Sequence, residues 1–114
     1  MTPFRRGTVV LVPFPFTDLS AVKKRPALVI STDAYNTATG DVIIAQITSR
    51  LNSPPRPGDH IIKDWRRAGL VVPSLARARM TTLHAPMILK SLGSMPQKEL
   101  NGITRAVASA LGIP

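Results

Sequence analysis

Apolar positions fall in short blocks separated by proline, glycine and polar clusters. Residues 7–16, GTVVLVPFPF, carry Val and Leu on successive positions, which predicts a strand buried on both faces at its centre. Pro13 and Pro15 remove ladder donors, so the strand leaves its sheet about there. A polar loop follows over 17–24, then a second strand over 27–31 and a third over 42–48. The ten residues between those two strands, TDAYNTATGD, read as turn throughout. A Pro-rich loop, NSPPRPGD (52–59), leads to a short strand over 60–63. DWRRAG then reads as one helical turn closed by Gly69. Residues 75–83 form a further strand in which Leu75, Arg77, Arg79 and Thr81 share a face. The tail has the clearest helical pattern: Leu100, Ile103, Val107 and Leu111 recur at spacings of three and four. A capping box of Ser94 and Gln97, with Pro96 in the first turn, precedes them. Many short strands, Pro/Gly-rich joints and one terminal helix predict an α+β fold, a small barrel, with residues 1–114 as a single domain.

The strands over 27–31 and 42–48 are sequence neighbours, so antiparallel pairing is expected. With Ser31 opposite Val42, paired positions sum to 73 and Arg25 falls opposite Thr48. Alternation then places Arg25, Ala27, Val29 and Ser31 on one face together with Val42, Ile44, Gln46 and Thr48. Directly opposed side chains have Cβ atoms roughly 5 Å apart. Pro26 biases Arg25 towards extended backbone and marks the strand entrance, which holds the guanidinium at the rim of the sheet.

Charge changes the picture most. Fifteen Lys and Arg oppose six Asp and Glu, a net +9, and ten of the fifteen cations are Arg. A small domain this basic faces a polyanion, and guanidinium forks suit bidentate phosphate contact. No segment pairs a basic helix face with a bulky apolar one, and no apolar run approaches the roughly 20 residues of a membrane span. The N-terminus MTPFRRG lacks a secretory h-region. The absence of cysteine excludes disulfides and thiolate metal sites, and fits a cytoplasmic location.

The six carboxylates (Asp18, Asp33, Asp41, Asp59, Asp64, Glu99) are scattered, and His60 and His84 do not stand at ligand spacing, so no metal site is expected. No P-loop, GxSxG or dinucleotide fingerprint occurs. An Arg–hydroxyl site remains. It can bind a phosphodiester and stabilise charge building on its oxygens. For RNA the substrate's own 2′-OH can attack, so the protein need supply no nucleophile. Arg itself is a poor general base.

The segments RGTVVLVPFPFTD, KKRPALVIS, IIAQITSR and SLARARMTTL and a last helix ending ALGI run in order through nearly the whole chain. Together they resemble the MazF/PemK family of type II toxins, KKRPALVIS after PFPFTD being the most specific piece. The resemblance implies a five- to seven-strand SH3-like barrel with helices, of the MazF/PemK/CcdB-like kind. It also implies a homodimer, metal- and cofactor-independent cleavage of single-stranded RNA, and an acidic antitoxin partner. The family's catalytic Arg before Pro falls on Arg25, and its Thr at the end of the following strand on Thr48. Two departures stand out. The family usually has an acid straight after the first-strand Gly, where this chain has Thr8, and some members carry a Glu in the loop before the Arg, where 17–24 offers only Asp18.

Arg25 and Thr48 are therefore the expected catalytic pair. Thr17, Asp18, Lys23 and Lys24 from the loop, with Arg77 and Arg79 from the later strand, are the expected substrate contacts. His60 and His84 are expected to be structural, Trp65 to belong to the core or a dimer contact, and Asp18 to cap its loop. Two other readings fit the composition: a non-catalytic toxin that binds a protein target such as gyrase, as CcdB-type barrels do, and a basic RNA-binding module without cleavage.

Overall fold

The computed structural model describes residues 4–13, 23–51 and 54–114. Six strands form one curled, wholly antiparallel sheet: β1 (Thr8–Pro13), β2 (Lys24–Val29), β3 (Asp41–Thr48), β4 (His60–Ile62), β5 (Ser74–His84) and β6 (Lys90–Ser94). Their spatial order is β4-β5-β3-β2-β1-β6, which leaves β4 and β6 as edges. Helices α1 (Asp33–Thr39) and α2 (Gln97–Ala110) complete the α+β fold, with a 3-10 turn at Ala85–Met87.

The successive apolar positions of β1 are buried on both faces, as expected: Val9 and Val10 are each fully inaccessible. Alternation sends them to different cores. Val9, Leu28 and Ile47 join Ile62, Ala76 and the α2 residues Leu100, Ile103 and Val107 on one face. Val10, Val12, Ala27, Val29, Val42 and Ile44 pack with Ile88 on the other. Each buried α2 side chain contributes about 1.5–3 kcal/mol of transfer free energy, so the 3–4 spacing in the tail docks the helix.

Two local expectations change and a third holds. TDAYNTATGD contains a helix, not only turns: Thr32 Oγ1 accepts the Tyr35 N–H at 3.2 Å, and Gly40 closes α1 at φ 73°. A hydroxyl N-cap and a left-handed glycine eight residues on are helix start and stop signals, and they outweigh the turn-rich composition between them. The capping box does not form, because Ser94 ends β6 and Pro96 is the N-cap of α2 with no side-chain cap bond. Residues 63–69 do form a turn, in which Gly69 (φ 84°) packs against the backbone of Leu92 so closely that a Cβ would run into its carbonyl. Among the described residues no helix is long and apolar enough to cross a membrane.

Candidate nucleic-acid site

The β2–β3 register is the one that follows from setting Ser31 opposite Val42. Ala27 faces Gln46, Leu28 faces Ala45 and Val29 faces Ile44, each pair summing to 73. Burying both faces of both strands pins it, since a one-residue slip would exchange every side chain between the two cores. Arg25, second residue of β2, lies opposite Val12 of β1 and one alternation beyond Ala27; Thr48 lies one alternation beyond Gln46. Arg25 and Thr48 thus extend the same face past the point where its apolar core ends.

The two side chains are placed differently. Arg25 is half-buried with no hydrogen bond or ion pair among the described residues, so its guanidinium keeps its donors for an incoming anion. Thr48 is only 6% exposed, and its Oγ1 accepts the backbone N–H of Arg50 at 3.2 Å. That bond fixes the hydroxyl oxygen and leaves the hydroxyl proton to be donated.

Arg77 sits opposite Gln46, but it is engaged: Nε and Nη2 meet the two carboxylate oxygens of Asp59 at 3.0 and 3.1 Å. The Asp59 side chain is 1% exposed. Burial pushes its pKa up, yet the Arg77 contacts and the Arg56 N–H at 2.8 Å outweigh burial and hold it below the ordinary 3.8. Arg79 is exposed and lies in a bulge, where β5 inserts Ala78 and Arg79 between the pairs Gln46–Arg77 and Ala45–Met80. Lys23 and Lys24 are exposed, Lys24 opposite Pro13. Thr17 and Asp18 lie outside the described residues, as do Phe14 and Phe16.

Asp33, Asp41 and Glu99 serve local structure. Asp33 takes the Arg6 N–H at 2.8 Å, which is the main cause of its lowered pKa, with Arg5 beside it. Asp41 meets His84 at 3.1 Å. Glu99 is 7% exposed; burial raises its pKa, but the Asp64 N–H at 2.6 Å and His60 at 2.8 Å bring it below the ordinary 4.5. Trp65 packs against the α2 core, with the Arg66 guanidinium 4.4 Å above its ring centroid. Lys23, Lys24 and Arg25 at the β2 entrance form no ion pair among the described residues, and both lysines are exposed. Nor do any three His, Asp or Glu side chains among those residues converge as metal ligands would.

A curled antiparallel sheet with a basic, hydroxyl-bearing strand end defines a small α+β toxin-like domain. The chain belongs to the PemK-like, MazF-like toxins of type II toxin-antitoxin systems, whose family model matches residues 5–111. In structure it is similar to a mycobacterial endoribonuclease solved with its cognate antitoxin, at 22% identity and a TM-score of 0.78 over 97% of each chain. A second mycobacterial endoribonuclease aligns at 23% identity and a TM-score of 0.76, over 100% of this chain and 96% of that one. A chain of the MazE–MazF crystal structure (form II) from Deinococcus radiodurans aligns at 26% identity and a TM-score of 0.74, over 100% of this chain and 99% of that one. A sequence search among curated proteins finds no match.

Sequence reasoning placed Gln46 on the Arg25–Thr48 face but assigned it no task. The signal was available in the alternation Val42, Ile44, Gln46, Thr48, which turns from apolar to polar at Gln46.

Proposed function

We propose that this toxin is an endoribonuclease that cuts single-stranded RNA without a metal ion. The 2′-OH of the nucleotide before the cut attacks phosphorus, the 5′-oxygen of the next nucleotide leaves, and a 2′,3′-cyclic phosphate remains. Arg25 neutralises charge building on the non-bridging oxygens, and the Thr48 hydroxyl donates to one of them. The observation that carries this reading is the β2–β3 register, which extends Arg25 and Thr48 along one face. Endoribonuclease activity in two structural neighbours and the antitoxin bound to one of them support it. The same basic surface suits an acidic, extended antitoxin segment, and the active form is a homodimer.

Incubating the purified protein with a long transcript in excess EDTA tests the assignment. Fragments ending in 2′,3′-cyclic phosphate are expected. Arg25→Ala should lower the rate about 10³-fold or more, and Thr48→Val about 10²–10³-fold, with folding intact. Cutting that requires a divalent ion would overturn the mechanism. An intact transcript together with failed gyrase supercoiling would favour the protein-binding toxin instead.

A further inference from the structure

Six polar or charged side chains are buried among the described residues, and five are matched. Ser31 and Asn36 bond each other, Thr48 takes the Arg50 N–H, Ser74 bonds the Val72 carbonyl, and Glu99 holds His60 and the Asp64 N–H. Gln46 is the exception. It is 9% exposed, yet neither end of its carboxamide has a hydrogen bond among the described residues. Two N–H donors and a carbonyl withdrawn from water without partners destabilise the folded chain, and a Leu or Met of similar volume would avoid that cost.

Its neighbours explain the vacancy. On one side stands Ala27, whose methyl offers nothing to bond; on the other stands Arg77, already forked onto Asp59. The β5 bulge opens the ladder beside it. Bulges are over-represented next to active sites, where they re-aim side chains. Gln46 also lies two residues from Thr48 along β3, about 6.6 Å, and diagonal to Arg25 across the β2 pair, roughly 7–8 Å. An RNA whose phosphate lies between Arg25 and Thr48 brings an adjacent base within reach of that carboxamide.

We propose that Gln46 is a base-reading residue, its carboxamide accepting from and donating to one nucleobase beside the cut, with adenine the preferred base. Adenine sets a donor, N6–H, next to an acceptor on both edges, N7 on one and N1 on the other. It therefore satisfies the carboxamide from either side, and Gln or Asn is the matching side chain for it. This inference rests on the RNA-cleaving reading above and names the specificity element of that same site.

Two readouts keep the inference separate from that reading. First, cut sites on a randomised RNA pool in EDTA are mapped for the wild type, Gln46→Ala and Gln46→Leu. The wild type is expected to favour adenine at one position next to the cut, and both variants to lose that preference by about tenfold or more while still cutting. Second, fluorescence anisotropy with short single-stranded oligoribonucleotides, differing only in A, G, C or U at each position, should show the same discrimination in the wild type. Gln46→Ala should abolish it. This binding arm holds even where no cutting occurs, so failure of cleavage alone does not decide it. Gln46→Leu should also melt no lower than the wild type, because it removes an unmatched polar group. Unchanged site choice in the variants, a wild type without adenine preference in either readout, or variants that lose antitoxin affinity with base choice intact would each overturn the assignment.

Discussion

Replacing Arg77 by Ala separates a structural from a substrate-contact role at a residue whose sequence context suggested the latter. The Arg77 side chain is 19% exposed and that of Asp59 1%. Truncation leaves a carboxylate out of water with only the Arg56 N–H for company. Breaking a buried pair by removing one partner costs about 3–5 kcal/mol, and the retained N–H argues for the lower end, about 3 kcal/mol. At about 2.1 cal/mol/K per residue, unfolding 114 residues carries about 0.24 kcal/mol/K. The melting temperature should therefore fall by about 12 °C. The effect should also depend on pH in a definite direction. In the wild type Asp59 sits below its ordinary 3.8, so its contribution is fully present above that value and is lost as pH falls through the folded value. In Arg77→Ala burial acts unopposed by the guanidinium, Asp59 takes up a proton more readily, and the gap between the two proteins narrows towards pH 3.8. Melting by circular dichroism from pH 7 down to pH 4 gives both numbers. The double variant Asp59→Asn/Arg77→Met should recover more than half of the loss, since no charge then remains buried. An Arg77→Ala protein that melts within about 3 °C of wild type at pH 7, yet binds RNA more weakly, would refute the structural assignment.

Gly102 lies beneath His60, where a Cβ would run into the imidazole ring that Glu99 holds. Gly102→Ala should destabilise by about 1–3 kcal/mol although Ala is the better helix former. In a His60→Ala background the same substitution should become neutral or stabilising, which urea denaturation will read. Glu99→Gln should remove part of the acid sensitivity. The wild-type carboxylate is held below 4.5, so its stabilisation is complete above that value and fades as pH falls through the folded one; acid titration of the two proteins compares them. Affinity for single-stranded RNA should fall with log salt at a slope of about −0.7 per phosphate neutralised, and Lys23→Ala and Lys24→Ala should each flatten it.

Several features were legible from residues alone for one physical reason: side chains alternate across a strand and recur every three to four residues on a helix, so the apolar pattern shows which residues share a face. The Val, Leu and Ile of β1, β2 and β3 determined which residues share a face, and setting Ser31 opposite Val42, a choice made from sequence adjacency, led to the sum of 73 that the pairs from Ala27–Gln46 to Val29–Ile44 carry. Leu100, Ile103 and Val107 of the apolar α2 stripe likewise determined its docking face, whereas Leu111, expected in the same stripe, caps the helix and stays exposed. Tertiary structure decided what depends on distant chain segments arriving together. Asp59 reaches Arg77 only because β4 pairs with β5, and His60 reaches Glu99 only because α2 crosses β4 at a glycine. The bulge that carries Arg79 is likewise a property of the pairing: ten residues of β5, Leu75–His84, run against the eight of β3. Gln46 shows the division most plainly. Alternation put it on the right face, but only the packed sheet, with Ala27 on one side and a committed Arg77 on the other, left its carboxamide without a partner among the described residues.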